Sequence, residues 1–406
     1  MPALEQRDAD EQTARPVHER GEERTDIRVQ MTKLLIIAPS LRNTSPGSRF
    51  RIEQWIPHLE RAGVSCTYAG FEDERLHEII YTKGNRIRKA SEMIRALGRR
   101  ARLTSRVRDY DIVFLYEEAA RIGPAVLETF IKWRNVPVVY DFCDPIYLPY
   151  VSPSNRHLAR LKCFGKTKTI CRLADHVLVG HEELAEYARQ YNDRVDVVPI
   201  TIDTDVYRPR PERPSDSDRV PVIGWSGSHS TVPHLDRLRK VLASLARLRR
   251  FRLEVVGAGP YKVEGVETES RAWSHEREVS DLQGFDIGIM PLPDDRWTRL
   301  RSHLKVRQYF GVGVPAVVSP VGVNKEVVED GVNGFWATND NQWLDRLVRL
   351  IDDVPLRHRM GRAARITIQK RYSAETWANK VLRVLEDVVQ RRAQSPSAVA
   401  IREQNP

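Results

Sequence analysis

Three groups of residues have the types and spacing to act on an anionic substrate. The first is Gly224-Trp225-Ser226-Gly227-Ser228-His229-Ser230-Thr231, directly after an apolar run. Small residues let backbone N–H groups close on an anion, and a helix beginning here adds the positive end of its dipole. The same residues would equally make a capped strand-to-helix turn with no ligand. The second group is Lys305 and Gln308, with Arg299 and Arg301 just before them. It offers positive charge for a phosphate and an amide for a hydroxyl. The third is Gly322-Val323-Asn324-Lys325-Glu326, in which Val323 and Asn324 present turn N–H groups and Glu326 is either a ligand or a helix-start acid. Earlier in the chain, Gly47-Ser48-Arg49 with Arg51 forms a further cationic loop. Asp141 and Asp144 follow a β-branched run. Carboxylates there orient a hydroxyl or take its proton, although Asp144 before Pro145 also suits a plain turn.

Three other motifs carry less. Gly257-Ala258-Gly259 lacks the third glycine of a dinucleotide fingerprint. Asp203-Thr204-Asp205 has the look of a metal motif but sits beside a linker-like stretch and reads as a turn. Trp273, near His275 and Glu276, suits either a nucleotide base or core packing. Cys66, Cys143, Cys163 and Cys171 show no metal-like spacing, so no metal site is expected and a reduced compartment is.

These groups need a frame. Alternating apolar strands and amphipathic helices run through the chain, the order of a parallel α/β layer. Strands are expected at 31–40, 64–68, 112–116, 137–140, 176–179 and 195–199, with helices between them at about 51–61, 83–108 and 124–133. A second alternation starts at Val220. It includes a strand at 287–292, a helix over about 302–310 and a strand at 316–319. In such sheets ligands lie beyond the carboxyl ends of the strands, where all the groups above fall. The expected organisation is a disordered arm over 1–30, a Rossmann-like domain over 31–206 and a Pro- and charge-rich linker over 207–220. A second Rossmann-like domain spans 221–373, followed by a final helix over 374–392 and a polar tail over 393–406.

At 406 residues and 41% hydrophobic content the chain can bury two ordinary cores. No apolar run approaches the ~18 residues that span a bilayer. The first 30 residues lack the apolar stretch of a secretory signal. The net charge of +10 would suit nucleic acid, but no nucleic-acid-binding signature accompanies it. Much of it lies between Lys83 and Arg108, where Ile87, Met93, Ile94 and Leu97 recur at helical spacing. That pattern fits a basic helix lying on an anionic membrane surface as well as a solvated face over a core.

The stretch 284–343 resembles the C-terminal half of the GT-B glycosyltransferases, specifically the large retaining family 4. The resemblance rests on Lys305-x-x-Gln308-Tyr309, Gly313-Val314-Pro315, Ser319-Pro320-Val321-Gly322 and Glu326-Val327-Val328-x-Asp330-Gly331-x-Asn333-Gly334. In the first half it rests on Gly47-Ser48-Arg49-x-Arg51, Tyr140-Asp141-Phe142-x-Asp144 and Ala174-Asp175-His176-Val177. It implies two Rossmann-like domains facing across a cleft, with the last helix returning to the first domain. It also implies transfer of a sugar, with retention and without a metal or other cofactor, from a nucleoside diphosphate sugar to a glycan, a lipid-linked acceptor or a small molecule. A cytoplasmic location follows, with a peripheral position at the inner membrane face open to it.

On this resemblance Gly47, Ser48, Arg49, Ser226, Gly227, Ser228, Ser230, Thr231, Lys305, Gln308, Val323, Asn324 and Glu326 bind the donor. Asp141, Asp144 and Lys305 serve the chemistry. The chain departs from the family at three points. Its loop 224–231 has no Arg or Lys, no histidine stands near Asp141, and Leu300 occupies the first of two positions usually held by glutamates. Gln308 occupies the second, on the nucleotide ribose. Those departures leave two alternatives open: a nucleotide-sugar epimerase on the same fold, and a non-catalytic protein that binds a partner.

Overall fold

The computed structural model describes residues 32–82, 84–149, 162–211 and 219–394. The expected arm over 1–30, most of the tail, Lys83 and the linker residues 212–218 lie outside the described residues.

Two six-stranded parallel sheets form the frame. The first contains β1 (Lys33–Ala38), β2 (Ser65–Gly70), β3 (Ile112–Tyr116), β4 (Val138–Phe142), β5 (His176–Val179) and β6 (Val195–Val197), in the order β2-β1-β3-β4-β5-β6. The second contains β7 (Val222–Ser226), β8 (Arg252–Val256), β9 (Glu267–Arg271), β10 (Ile287–Met290), β11 (Ala316–Val318) and β12 (Gly334–Trp336), in the order β12-β11-β10-β7-β8-β9. Both are doubly wound. In each, the strand order reverses beside the first strand, between β1 and β3 and between β7 and β10. A crevice opens at such a point because the two crossover connections leave in opposite directions.

The inner strands, β3, β4, β5, β10 and β11 among them, are buried on both faces, which explains their largely apolar sequences. Alternate residues serve different cores. Leu34, Ile36 and Ala38 of β1 join a large cluster that continues into the second sheet through Val222, Met290, Ala316 and Val318. Leu35 and Ile37 face a second cluster with Val113, Val138 and Val177. Ile223, Trp225, Leu253 and Ile289 fill a third, on the far face of the second sheet.

The helix Ala374–Ala393 packs against Gln54–Arg61. Its Ala378, Val381, Leu385 and Val388 lie in the shared cluster. At its start the Ala374 N–H donates to the Ile202 carbonyl at 3.0 Å, and the Ile202 N–H donates to the Tyr372 carbonyl at 2.8 Å.

The basic stretch forms one long helix, Arg86–Ser105, preceded by a separate short helix, Glu74–Ile80. Not all of its cations face outward. Arg100 is buried and donates to the carbonyls of Ala38 and Ala69, each at 3.0 Å. Arg99 pairs with Asp73 at 2.8 Å. Ile87 and Ile94 remain 88% and 68% exposed, so two apolar side chains project among Arg86, Arg88, Lys89 and Arg95. Among the described residues no helix is long and apolar enough to cross a membrane.

Candidate functional site

A cleft of about 440 Å³ opens at the reversal point between β7 and β10. Ser226, Gly227, Ser228 and Thr231 form one wall, beyond the end of β7. Met290, the last residue of β10, and Leu292 just beyond it form another part of the lining. The helix Leu304–Gly311 contributes Leu304, Lys305 and Gln308, and Thr44 and Pro46 close the cleft from the first half of the chain.

The helix is placed by its apolar face. Val306, Tyr309 and Phe310 are fully buried. Lys305 and Gln308, three positions apart, therefore share the opposite side. The Tyr309 hydroxyl accepts a hydrogen bond from the Ser226 N–H at 3.0 Å and donates to the Ile289 carbonyl at 3.4 Å. One motif residue thus ties the cleft loop to the helix. The approach to the helix is tight. His303 takes a left-handed conformation with φ 44°. Its Nε2 donates to the Thr298 carbonyl at 2.8 Å, and Arg307 donates to the Ser302 carbonyl at 2.5 Å. Burial pushes the His303 imidazole down to about 3. The ring is therefore neutral, with Nε2 carrying its proton.

Lys305 and Arg301 both line the cleft. Lys305 holds its Nζ 4.1 Å from the centroid of the Trp225 ring and 3.4 Å from Thr231 Oγ1. Burial, then the nearby Arg301 charge, pushes its amine down to about 7. An arriving phosphate would reverse that shift, because an opposite charge favours the ammonium form. His234 also lines the cleft and is held near 4 by burial, then by Lys305 and Arg301. Gly227 is required where it stands. A Cβ there would come within 2.4 Å of the Trp225 ring and 2.7 Å of Lys305 Nζ.

The helix dipole expected after Thr231 is slight. The loop runs into a single 3₁₀ turn, His229–Thr231, and then a helix of only five residues, Val232–Asp236. Positive charge comes instead from the other wall, through Lys305 and Arg301. Ser230 is exposed, with its hydroxyl 2.9 Å from Ser228 Oγ.

Other expected site residues lie elsewhere. Asp141 is fully buried in β4 and bonded by both Arg51 Nε, at 3.1 Å, and Arg51 Nη2. A carboxylate enclosed with its partner guanidinium cannot reach an incoming hydroxyl, so Asp141 is part of the frame. Gly47 packs against the Tyr116 hydroxyl and Ser48 is buried. Val323 and Asn324 are also buried. Gly322 lies against the Arg299 backbone, whose carbonyl would stand 2.4 Å from a Cβ there. Glu326 is exposed, and its carbonyl accepts from Arg371 at 3.0 Å. This third loop does not line the cleft. Asp144 does approach it. It accepts from Arg301 Nη2 at 3.1 Å and from the Ser302 N–H at 3.4 Å, joining the two halves of the chain.

Glu278 is the site residue that sequence reasoning missed. It lines the cleft and collects donors from both halves of the chain. Arg49 Nη2 bonds it at 2.5 Å and the Tyr207 hydroxyl at 2.6 Å. Trp273 Nε1 follows at 3.0 Å and Gln308 Nε2 at 3.1 Å. Burial alone would raise this carboxyl, but the Arg49 bond and charge, with Tyr207 and Trp273, hold it below the ordinary range. Arg49 also stacks on Trp273, its guanidinium carbon 5.3 Å from the ring centroid. Trp273 and Gly257 border a second cavity of about 650 Å³ beside the first. Among the described residues no cluster of three or more His, Cys, Asp or Glu is placed to hold a metal ion.

Residues 220–353 match the family described as glycosyl transferases group 1. No curated protein matches the sequence significantly. Among solved structures, sucrose-phosphate synthase from Thermosynechococcus elongatus superposes with a TM-score of 0.64 at 13% identity, over 88% of this chain and 99% of that one. A glycosyltransferase from Rickettsia africae gives 0.61 at 13%, over 89% and 99%. Anabaena HepE in complex with UDP and glucose gives 0.61 at 15%, over 88% and 100%. At these identities the likeness is one of fold: two Rossmann-like sheets in the GT-B arrangement, as the sequence implied.

Proposed function

We propose that this chain, whose residues 220–353 match the glycosyl transferases group 1 family and whose fold is GT-B, transfers a sugar from a nucleoside diphosphate sugar to an acceptor hydroxyl. The observation that carries this reading is the position of Lys305. It stands over Trp225 at the reversal point of the second sheet, beside a loop of small residues and one helical turn from Gln308. HepE has been solved with UDP-glucose, which supports a donor of that class.

The chemistry follows from charge. As the bond from the sugar carbon to the diphosphate breaks, the sugar becomes oxocarbenium-like and negative charge collects on phosphate oxygens. Lys305 and Arg301 meet that charge, and the N–H groups of the 226–231 loop add donors around it. Gln308 serves the ribose and Trp273 flanks the base. The acceptor approaches from the first half of the chain, near Asp144. Its oxygen bonds to the sugar carbon while its proton passes to the departing diphosphate, on the same face. That course gives retention, as in family 4, and needs no metal. The exposed Ile87 and Ile94 amid basic residues support a lipid-linked or membrane-proximal acceptor, with the protein peripheral at an anionic inner face.

Incubation with UDP-glucose, GDP-mannose and ADP-glucose, followed by mass spectrometry of nucleotide and sugar, tests the reading. Acceptor-dependent nucleotide release supports it. An epimerised donor without acceptor would replace it with the epimerase alternative.

A further inference from the structure

A glutamine where the family places a ribose-binding glutamate has an ambiguity that a carboxylate lacks. Its amide can present either N–H or C=O to the ligand. Glu278 removes that ambiguity. It is buried and held ionised by Arg49, Tyr207 and Trp273, and an ionised carboxylate only accepts. Gln308 Nε2 donates to its Oε1 at 3.1 Å. One N–H of the amide is thereby committed to Glu278, which fixes the way the amide is turned and leaves Oε1 as its acceptor; Gln308 lines the cleft.

We propose that Glu278 is a positioning residue that fixes the Gln308 amide so that its carbonyl oxygen accepts a hydrogen bond from a ribose hydroxyl of the bound nucleotide. This rests on the nucleotide-binding reading above. The carboxylate function that the family keeps on the helix is here divided between two residues 30 positions apart. The amide supplies the acceptor, and the buried acid supplies its orientation. The same carboxylate receives Arg49 from the first half of the chain, so the ribose contact is ordered by the bond that joins the halves.

The test compares affinities for a ribonucleotide and its 2′,3′-dideoxy analogue by calorimetry. The probe is whichever of UDP, GDP and ADP binds the wild type most tightly. The wild type is expected to prefer the ribonucleotide by about tenfold, the value of one good neutral hydrogen bond. Glu278→Gln should cut that preference to about twofold or less, because a neutral amide no longer dictates how Gln308 turns. If Glu278→Gln fails to fold, Glu278→Asp withdraws the carboxylate from Gln308 and should show the same loss. An unchanged preference in the Glu278 variant, or none in the wild type, overturns the proposal alone. Failure of the wild type to bind any of the three nucleotides overturns the reading on which it rests.

Discussion

The Arg49 guanidinium and the Glu278 carboxylate, 229 positions apart, meet at 2.5 Å where the two halves of the chain touch. Both are buried. Removing one partner leaves the other charged and out of water, which typically costs about 3–5 kcal/mol. Arg49→Ala is therefore expected to lower the stability from chemical denaturation by about that amount, and a double-mutant cycle with Glu278→Gln should show coupling of about 1–3 kcal/mol. The Glu278 carboxyl is depressed in the folded state. Its contribution is present above the unfolded value of about 4.3 and is lost as pH falls through the lower, folded value. Arg49→Ala should therefore narrow its stability deficit on acidification.

Lys305 makes donor binding pH-dependent. Its amine sits near 7 in the structure, against about 10.4 in the unfolded chain. A bound diphosphate favours the ammonium form and raises this value. Affinity for a sugar nucleotide, whose diphosphate stays ionised throughout, should fall as pH rises from about 7 to 9. Calorimetry at pH 8 in buffers of different ionisation enthalpy should register proton uptake on binding. For folding the sign is opposite: the unfolded chain binds the extra proton between about 7 and 10.4, so stability gained from this group rises with pH across that window. Lys305→Met should raise the melting temperature at pH 7 while abolishing the pH dependence of binding.

Gly227→Ala separates the cleft from the fold. The added methyl meets the Trp225 ring at 2.4 Å and Lys305 Nζ at 2.7 Å. Overpacking of this kind costs about 1–3 kcal/mol. The expected outcome is a protein that folds, with a lowered melting temperature, and loses at least about tenfold in nucleotide affinity as the Lys305 amine is displaced.

Much of the frame was legible because it depends on local pattern. β3 and β5 fall where β-branched runs lie, and the helix carrying Lys305 and Gln308 starts within two residues of its expected position. Tyr309 and the turn around Asn333 explain why those motif residues stand where they do. Asn333 bonds the Glu329 N–H at 2.8 Å and the Val327 carbonyl at 3.1 Å. What sequence could not show was pairing over distance. Asp141 and Asp144 are three residues apart and look alike. One is locked to Arg51 from 90 positions away and the other reaches Arg301 across the cleft. Arg49 looked like a free phosphate ligand because nothing local reveals that Glu278 bonds it. Glu278 itself sits in an unremarkable charged run, and its role exists only once Arg49, Tyr207, Trp273 and Gln308 converge on it.

The helix Arg86–Ser105 supports a prediction about membranes. Flotation with vesicles containing anionic lipid should recover the protein at low salt and release it at high salt, each basic residue near the surface contributing about 1 kcal/mol. Changing Arg88 and Lys89 to Glu should weaken recovery by about two orders of magnitude in partition, and Ile87→Ser and Ile94→Ser should weaken it further. Equal recovery with neutral vesicles would contradict an electrostatic surface.

The most direct test of the donor cleft is the thermal stability of the wild type and Lys305→Ala in the presence of UDP, GDP, ADP and their sugars, with and without magnesium. A nucleotide at 100 times its dissociation constant adds about 2.7 kcal/mol to the folded state. One nucleotide class is expected to raise the melting temperature of the wild type, independently of magnesium. The shift should be lost in Lys305→Ala at the same concentration. Equal shifts in both proteins, or none in well-folded wild type, would contradict the placement of the donor at Lys305.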